Sequence, residues 1–227
     1  MRFISRPSDA TFDLKISAAS APMSSSAVFC KCEIERFTAS IASKKRARSP
    51  SIPMPFSLVL AMDVSGSMLA EDFKPNRLEA AKKEAEEFIK GRNSDRIGLV
   101  EFAGEAFTQT PLTIDHNVLL SQLSKVKSGV IEDGTALGDG LATAINRVKD
   151  SKAQSKVIIL LTDGVNNSGE VSPQMAAEIA KTYGVRVYTI GVGKEGMAPY
   201  PVMTPWGVEV QNVKVEIDEK LLSEIAE

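Results

Sequence analysis

The chain has 227 residues, 43% of them hydrophobic and 25% charged, a composition that suits one globular domain with a substantial core. A net charge of -2 gives no broad basic surface for nucleic acid, and two cysteines, Cys30 and Cys32, with one distant histidine make neither a disulfide framework nor a four-ligand zinc site. No apolar run approaches the ~20 residues of a membrane span, and the N-terminus lacks the apolar core of a signal peptide.

Residues 1–54 differ from the rest. Ser and Ala dominate, as in Ser17-Ala-Ala-Ser-Ala-Pro, and neither helical nor strand periodicity persists. This part is expected to be disordered or an atypical N-terminal extension, with at most a short element near 28–37. Its basic run, Lys44-Lys-Arg-Ala-Arg-Ser-Pro, reads as a solvated linker. Residues 55–227 are expected to be the folded domain.

That domain opens with Phe56-Ser-Leu-Val-Leu-Ala-Met-Asp63-Val-Ser65-Gly-Ser67-Met68. The apolar run has no polar face, as in a strand covered by helices on both sides. Asn76 caps a helix with Leu78, Ala81, Ala85, Phe88 and Ile89 on its apolar face, and Glu79 completes a capping box. A second strand runs from Arg96 to Phe102. Gly104-Glu105 turns it into a third, Ala106 to Thr110, through a connection short enough only for an antiparallel pair. Asp115 caps a helix carrying Val118, Leu119, Leu120 and Leu123. Another helix follows Thr135, with Leu137, Leu141, Ile145 and Val148 on one face.

Val157 to Leu161 is a fourth strand, as apolar as the first, and it too ends on a carboxylate, in Thr162-Asp163-Gly164. Ser172-Pro173 starts a helix that Gly184 stops, and Val185 to Val192 is a fifth strand. Gly191-Val-Gly193-Lys-Glu-Gly196 matches the dinucleotide fingerprint in letters. The prolines at 199 and 201 allow no helix start where the pyrophosphate needs one, so it reads as a loop. Residues 200–216 are expected to form a hairpin around Trp206-Gly207. Asp218 caps a last helix with Leu221, Leu222 and Ile225. Alternating strands and helices predict an α/β fold: a doubly wound, mostly parallel sheet with one antiparallel edge strand and helices on both faces.

In such sheets ligands bind past the carboxyl ends of the strands, where the strand order reverses. With the order third, second, first, fourth, fifth, Asp63 and Asp163 share that switch point and the Thr135 loop enters it. Asp63, Ser65 and Ser67 stand two apart, so in an extended segment they aim to one side. Two carboxylates and three hydroxyls then converge as hard oxygen donors, the set that Mg2+ accepts. Each alone has an ordinary alternative, a turn for Asp63 and Asp163 and a helix cap for Thr135.

Asp63-x-Ser65-x-Ser67, Thr135 and Thr-Asp163-Gly together resemble the metal-ion-dependent adhesion site of von Willebrand factor type A domains, over residues 56–227. More narrowly, Ser65-Gly-Ser-Met-Leu-Ala-Glu-Asp72-Phe-Lys-Pro-Asn-Arg-Leu-Glu-Ala-Ala81 and Val215-Glu-Ile-Asp-Glu-Lys-Leu-Leu222 resemble the bacterial aerotolerance, BatA-type subgroup. The resemblance implies that Ser65, Ser67 and Thr135 bind Mg2+ or Mn2+ directly, with Asp63 and Asp163 acting largely through water. It implies a protein-binding module whose partner supplies an Asp or Glu carboxylate, in an assembly with a MoxR-type AAA+ ATPase and other such domains. It further implies membrane association, although this chain shows no spanning run, and a sixth sheet strand after the last helix, where this chain is expected to be truncated.

A Mg2+-dependent haloacid-type phosphohydrolase is the rival reading. That class needs a second Asp two residues after the first, and Ser65 stands there. A serine hydrolase has less support still, because His116 opens a helix and no nucleophile elbow is present. A structural domain with an empty site is the third reading. The expectation is a binding module, not an enzyme.

Overall fold

The computed structural model describes residues 2–4, 56–194, 196–204, 207–215 and 217–226. The readings made on Cys30, Cys32, the element near 28–37, the basic run after Lys44 and Trp206 lie outside the described residues.

The strands of the main sheet are β1 (Arg2–Ile4), β2 (Ser57–Asp63), β3 (Arg96–Phe102), β4 (Ala106–Thr113), β5 (Lys156–Thr162) and β6 (Val185–Gly191). Their spatial order is β1-β6-β5-β2-β3-β4. The four strands from β6 to β3 are parallel, and β4 pairs antiparallel with β3. This is the α/β architecture that the alternation predicts, with the expected order of five strands. A sixth is added: Arg2–Ile4 pairs antiparallel with β6, so both edges of the described sheet are antiparallel. The pairing covers the backbone groups that an open β6 edge leaves unpaired.

The helices are α1 (Arg77–Lys90), α2 (His116–Lys125), α3 (Leu137–Val148), α4 (Pro173–Thr182) and α5 (Glu219–Ala226). Every residue of β2 is buried, as its unbroken apolar run requires. Its alternation divides the core in two. Leu58, Leu60 and Met62 pack with α1 and α2 on one face, while Val59 and Ala61 pack with α3 to α5 on the other.

Local signals account for the starts of α1, α2 and α4. Asn76 accepts the Glu79 N–H at 2.9 Å, and Asp115 and Ser172 cap α2 and α4 in the same way. The capping box at Asn76 is only half formed, because the Glu79 carboxylate instead accepts from Lys82 Nζ at 2.8 Å. In α2 only Leu119 and Leu123 of the four apolar residues are buried, and Val118 is 48% exposed. The strand β4 runs three residues past its predicted end, with register irregularities opposite Ile97, Leu99 and Val100. Pro111 is tolerated there because β4 is an edge strand. The helix α3 lies unusually close to the sheet. A Cβ on Gly140 would sit 2.6 Å from the Phe102 ring.

A separate two-stranded sheet, β7 (Gly196–Thr204) with β8 (Gly207–Val215), follows β6 directly. It is the hairpin expected of residues 200–216, begun four residues earlier and leaving no room for a dinucleotide-binding helix after Gly193. It docks on the loop after β2. The Glu71 N–H donates to the Pro199 carbonyl at 2.8 Å, and Ala198 and Tyr200 pack on Ala70.

Candidate metal centre

The parallel pairing of β2 with β5 sets Asp63 and Asp163 at neighbouring strand tips. Asp63 is fully buried. Its Oδ1 accepts the Ser65 N–H at 2.9 Å and its Oδ2 accepts the Thr162 hydroxyl at 2.6 Å. The chain then winds into a single 3-10 turn, Gly66–Leu69. This turn brings the Ser65 and Ser67 hydroxyls within 2.9 Å of each other.

Thr135 arrives from the far side, just before α3. It does not cap that helix, whose N-cap position is Ala136. Its own N–H donates to Asn167 Oδ1 at 2.8 Å and to Ser168 Oγ at 3.1 Å, and its carbonyl accepts from the backbone of both. Asn166 Oδ1 accepts the Leu137 N–H at 3.0 Å and so satisfies the start of α3. The loop after Asp163 is thus the clamp that presents Thr135.

Ser65, Ser67, Thr135 and Asp163 line one cavity of about 450 Å³, together with Arg77, Asp133 and Tyr200. Asp63 stands behind the two serines. The five residues singled out in the sequence are therefore gathered at one place, four on the cavity wall and one supporting it. The hairpin contributes Tyr200, Val213 and Lys214 to the cavity lining.

Burial, and next the charge of Asp163, push Asp63 up to about 7 against the opposing pull of its Ser65 and Thr162 donors. Among the described residues, buried Asp63 thus lacks sufficient positive charge beside it. Arg77, the guanidinium beside Asp163 among the described residues, is 1% exposed and divided between Asp163 at 3.3 Å and Asp72 at 2.8 Å. Burial and the Asp133 carboxylate also raise Tyr200. Asp133 Oδ1 accepts the Gly66 N–H at 3.0 Å. A side chain at position 66 would crowd that contact, because its Cβ would lie 3.2 Å from both Asp133 oxygens.

A hard divalent cation fits these residues. Among the described residues no cluster of three or more His, Cys, Asp or Glu could hold a metal ion, so a cation here depends on hydroxyl oxygens. Ser65, Ser67 and Thr135 supply them on the cavity wall, and the deficit of positive charge at Asp63 is what a dication would fill.

Sequence reasoning missed Arg77, Asp72, Asp133 and Asn167. Arg77 and Asp72 lie within the stretch that carries the subgroup resemblance. Asp133 and Asn167 flank two of the motif residues within four positions, which is the signal that could have marked them.

The profile of the von Willebrand factor type A domain matches residues 57–213. The chain belongs to the von Willebrand factor type A domain family. It is similar to a UPF0353 protein of Nocardia farcinica, 33% identical over 187 residues, which are 75% of this chain and 55% of that one. The chain spans about half the length of the first curated relatives it matches. Two solved structures are similar at 31% identity over 76% of this chain. One is an aerotolerance-related membrane protein of Bacteroides fragilis, TM-score 0.65 over 86% of its chain. The other is BatB of Bacteroides thetaiotaomicron, TM-score 0.66 over 85% of its chain. A third is proximal thread matrix protein 1 of the mussel byssus with a zinc-occupied adhesion site, 28% identical, TM-score 0.56, covering 63% of this chain and 37% of that one. No helix among the described residues is long and apolar enough to cross a membrane.

Proposed function

We propose that this domain is a metal-dependent protein-binding module. Ser65, Ser67 and Thr135 would hold Mg2+ or Mn2+ directly, and Asp63 and Asp163 would act largely through water. The observation that carries this reading is the single cavity lined by three hydroxyls and Asp163 with Asp63 buried behind them. The cation supplies Lewis acidity towards an incoming carboxylate. The chain's own residues orient the donors: Thr162 and the Ser65 N–H fix Asp63, and Asn167 with Ser168 fixes Thr135. Neutral hydroxyls in the first layer leave the cation's charge under-compensated, which favours an Asp or Glu from a partner. The zinc-occupied site of the mussel protein supports a divalent ion in this place.

The same geometry weighs against the haloacid-type phosphohydrolase. A nucleophilic Asp63 would need a free oxygen facing substrate, yet both its oxygens accept hydrogen bonds and the residue lies outside the cavity wall. We therefore propose no catalytic role. On the family resemblance alone, we assign the partner to a MoxR-type AAA+ assembly and the domain to a membrane-associated, Bat-like setting.

The test is capture on the immobilised chain in Mg2+ from a bacterial lysate. A partner eluted by EDTA and by excess acetate, and not captured by Thr135→Ala, is the expected result. A partner that binds equally in EDTA refutes the reading.

A further inference from the structure

Arg77 is the first residue of α1, and its side chain is buried between two carboxylates from different parts of the chain. Nε and Nη2 form a fork on Asp72, at 2.8 Å to Oδ1 and 3.1 Å to Oδ2. Nη1 reaches Asp163 Oδ2 at 3.3 Å. The bidentate pair is the stronger of the two, so Asp163 holds only the remainder of the guanidinium. Asp72 in turn accepts the Lys194 N–H at 2.8 Å. Gly193 makes room for this arrangement, since a Cβ there would lie 3.0 Å from the guanidinium carbon. Arg77 also lines the cavity that holds the hydroxyls.

Resting on the metal-site reading above, we propose that Arg77 shares Asp163 with the bound cation and so sets how much of the cation's charge remains for a partner's carboxylate. With Asp63, Asp72 and Asp163 ionised, Arg77 brings this cluster to a net charge of minus two, which one dication neutralises. Asp133 and Lys214, in the same cavity, add one charge of each sign. Without Arg77 the cluster carries minus three. The dication is then held more tightly, and an approaching carboxylate meets a pocket that is still negative. Arg77 is thus a positioning and charge-setting residue: it weakens cation binding and strengthens carboxylate binding at the same site.

Two substitutions separate this role from simple packing. Arg77→Gln removes the guanidinium charge, and Asp72→Asn keeps the shape while releasing Arg77 towards Asp163. Mn2+ titrations of the full chain, read by electron paramagnetic resonance, are the primary measurement. An opposite charge at this distance shifts a carboxylate's proton affinity by about 1–3 pKa units. On that scale Mn2+ should bind Arg77→Gln about tenfold or more tighter than wild type, even if the variant melts lower. Asp72→Asn should bind Mn2+ more weakly. Acetate, as the carboxylate probe, should bind Mn2+-loaded Arg77→Gln more weakly than the loaded wild type. A merely structural arginine predicts weaker or unchanged Mn2+ binding in both variants, and that result overturns the proposal. If Arg77→Gln does not fold, Asp72→Asn decides through both probes: weaker Mn2+ binding together with tighter acetate binding to the loaded variant is expected, and any other pair of results refutes the proposal. Absence of Mn2+ binding in the wild type is a separate outcome, and it overturns the metal-site reading itself.

Discussion

The Thr162 hydroxyl donates to Asp63 Oδ2 at 2.6 Å, a side-chain bond between residues 99 apart in sequence and adjacent at the tips of β2 and β5. The same oxygen of Thr162 accepts the Gly164 N–H at 3.1 Å. One hydroxyl thus holds a buried carboxylate in place and begins the turn that carries Asp163 and the Thr135 clamp.

Thr162→Val keeps the shape and removes both bonds. A buried acceptor and a buried donor lose their partners, which costs about 1–3 kcal/mol each where nothing replaces them. The variant should unfold at lower urea concentration with an unchanged m-value, and Mg2+ should raise its melting temperature less than it raises that of wild type. Unchanged stability would show that the bond contributes nothing net.

Gly140→Ala adds a Cβ 2.6 Å from the Phe102 ring at the tightest contact of α3 with the sheet. Overpacking of this kind costs about 1–3 kcal/mol, against a helix-propensity gain of up to about 1 kcal/mol. Chemical denaturation should show net destabilisation. A stabilised variant would mean that α3 can move off the sheet freely.

Glu101 is buried on β3, its Oε1 has no hydrogen-bond partner among the described residues, and burial pushes it up to about 7 despite the Lys82 charge. Its pKa in the folded state lies above the ordinary value of 4.5, so between these pH values the folded state binds more protons than the unfolded one. Its contribution is therefore fully present below about 4.5 and is lost as pH rises through about 7. Glu101→Gln is neutral throughout and should remove that slope. Thermal melts at pH 5 and pH 8 should show the variant gaining on wild type at the higher pH. Parallel changes in the two proteins would contradict the assignment.

Much of this was legible in the sequence for specific reasons. The runs in β2 and β5 are apolar on both faces and each ends on a carboxylate, so a buried parallel pair and its switch point follow from periodicity and the rule for doubly wound sheets. Asn76, Asp115 and Ser172 announced their helices because capping is local. Arg77 was not legible as part of the site. It reads as an ordinary first-turn helix residue, and only the fold brings it to Asp163, 86 positions away. The clamp on Thr135 was hidden in the same way, since Asn167 lies 32 residues from the backbone group it accepts. The capping box failed because a nearby lysine offered Glu79 an alternative partner. The pairing of Arg2–Ile4 with β6 was illegible because three residues carry no periodicity.

Ligand binding to the native state adds RT ln(1 + [L]/Kd), about 2.7 kcal/mol at a hundredfold excess over Kd. Mg2+ at that excess should raise the wild-type melting temperature by several degrees, and Ca2+-free EDTA buffer should reverse the effect. Identical melts in Mg2+ and EDTA would remove thermodynamic support for a cation at this site.

The most direct test of the central claim is a Mn2+ titration of the full chain followed by electron paramagnetic resonance, beside the double variant Ser65→Ala, Ser67→Ala. The two hydroxyls stand 2.9 Å apart on the cavity wall, and their removal leaves the Thr162 bond to Asp63 in place. The account predicts a single bound Mn2+ in the wild type and none in the double variant at the same concentration. Equal Mn2+ binding by the two proteins, or none by the wild type, would contradict it.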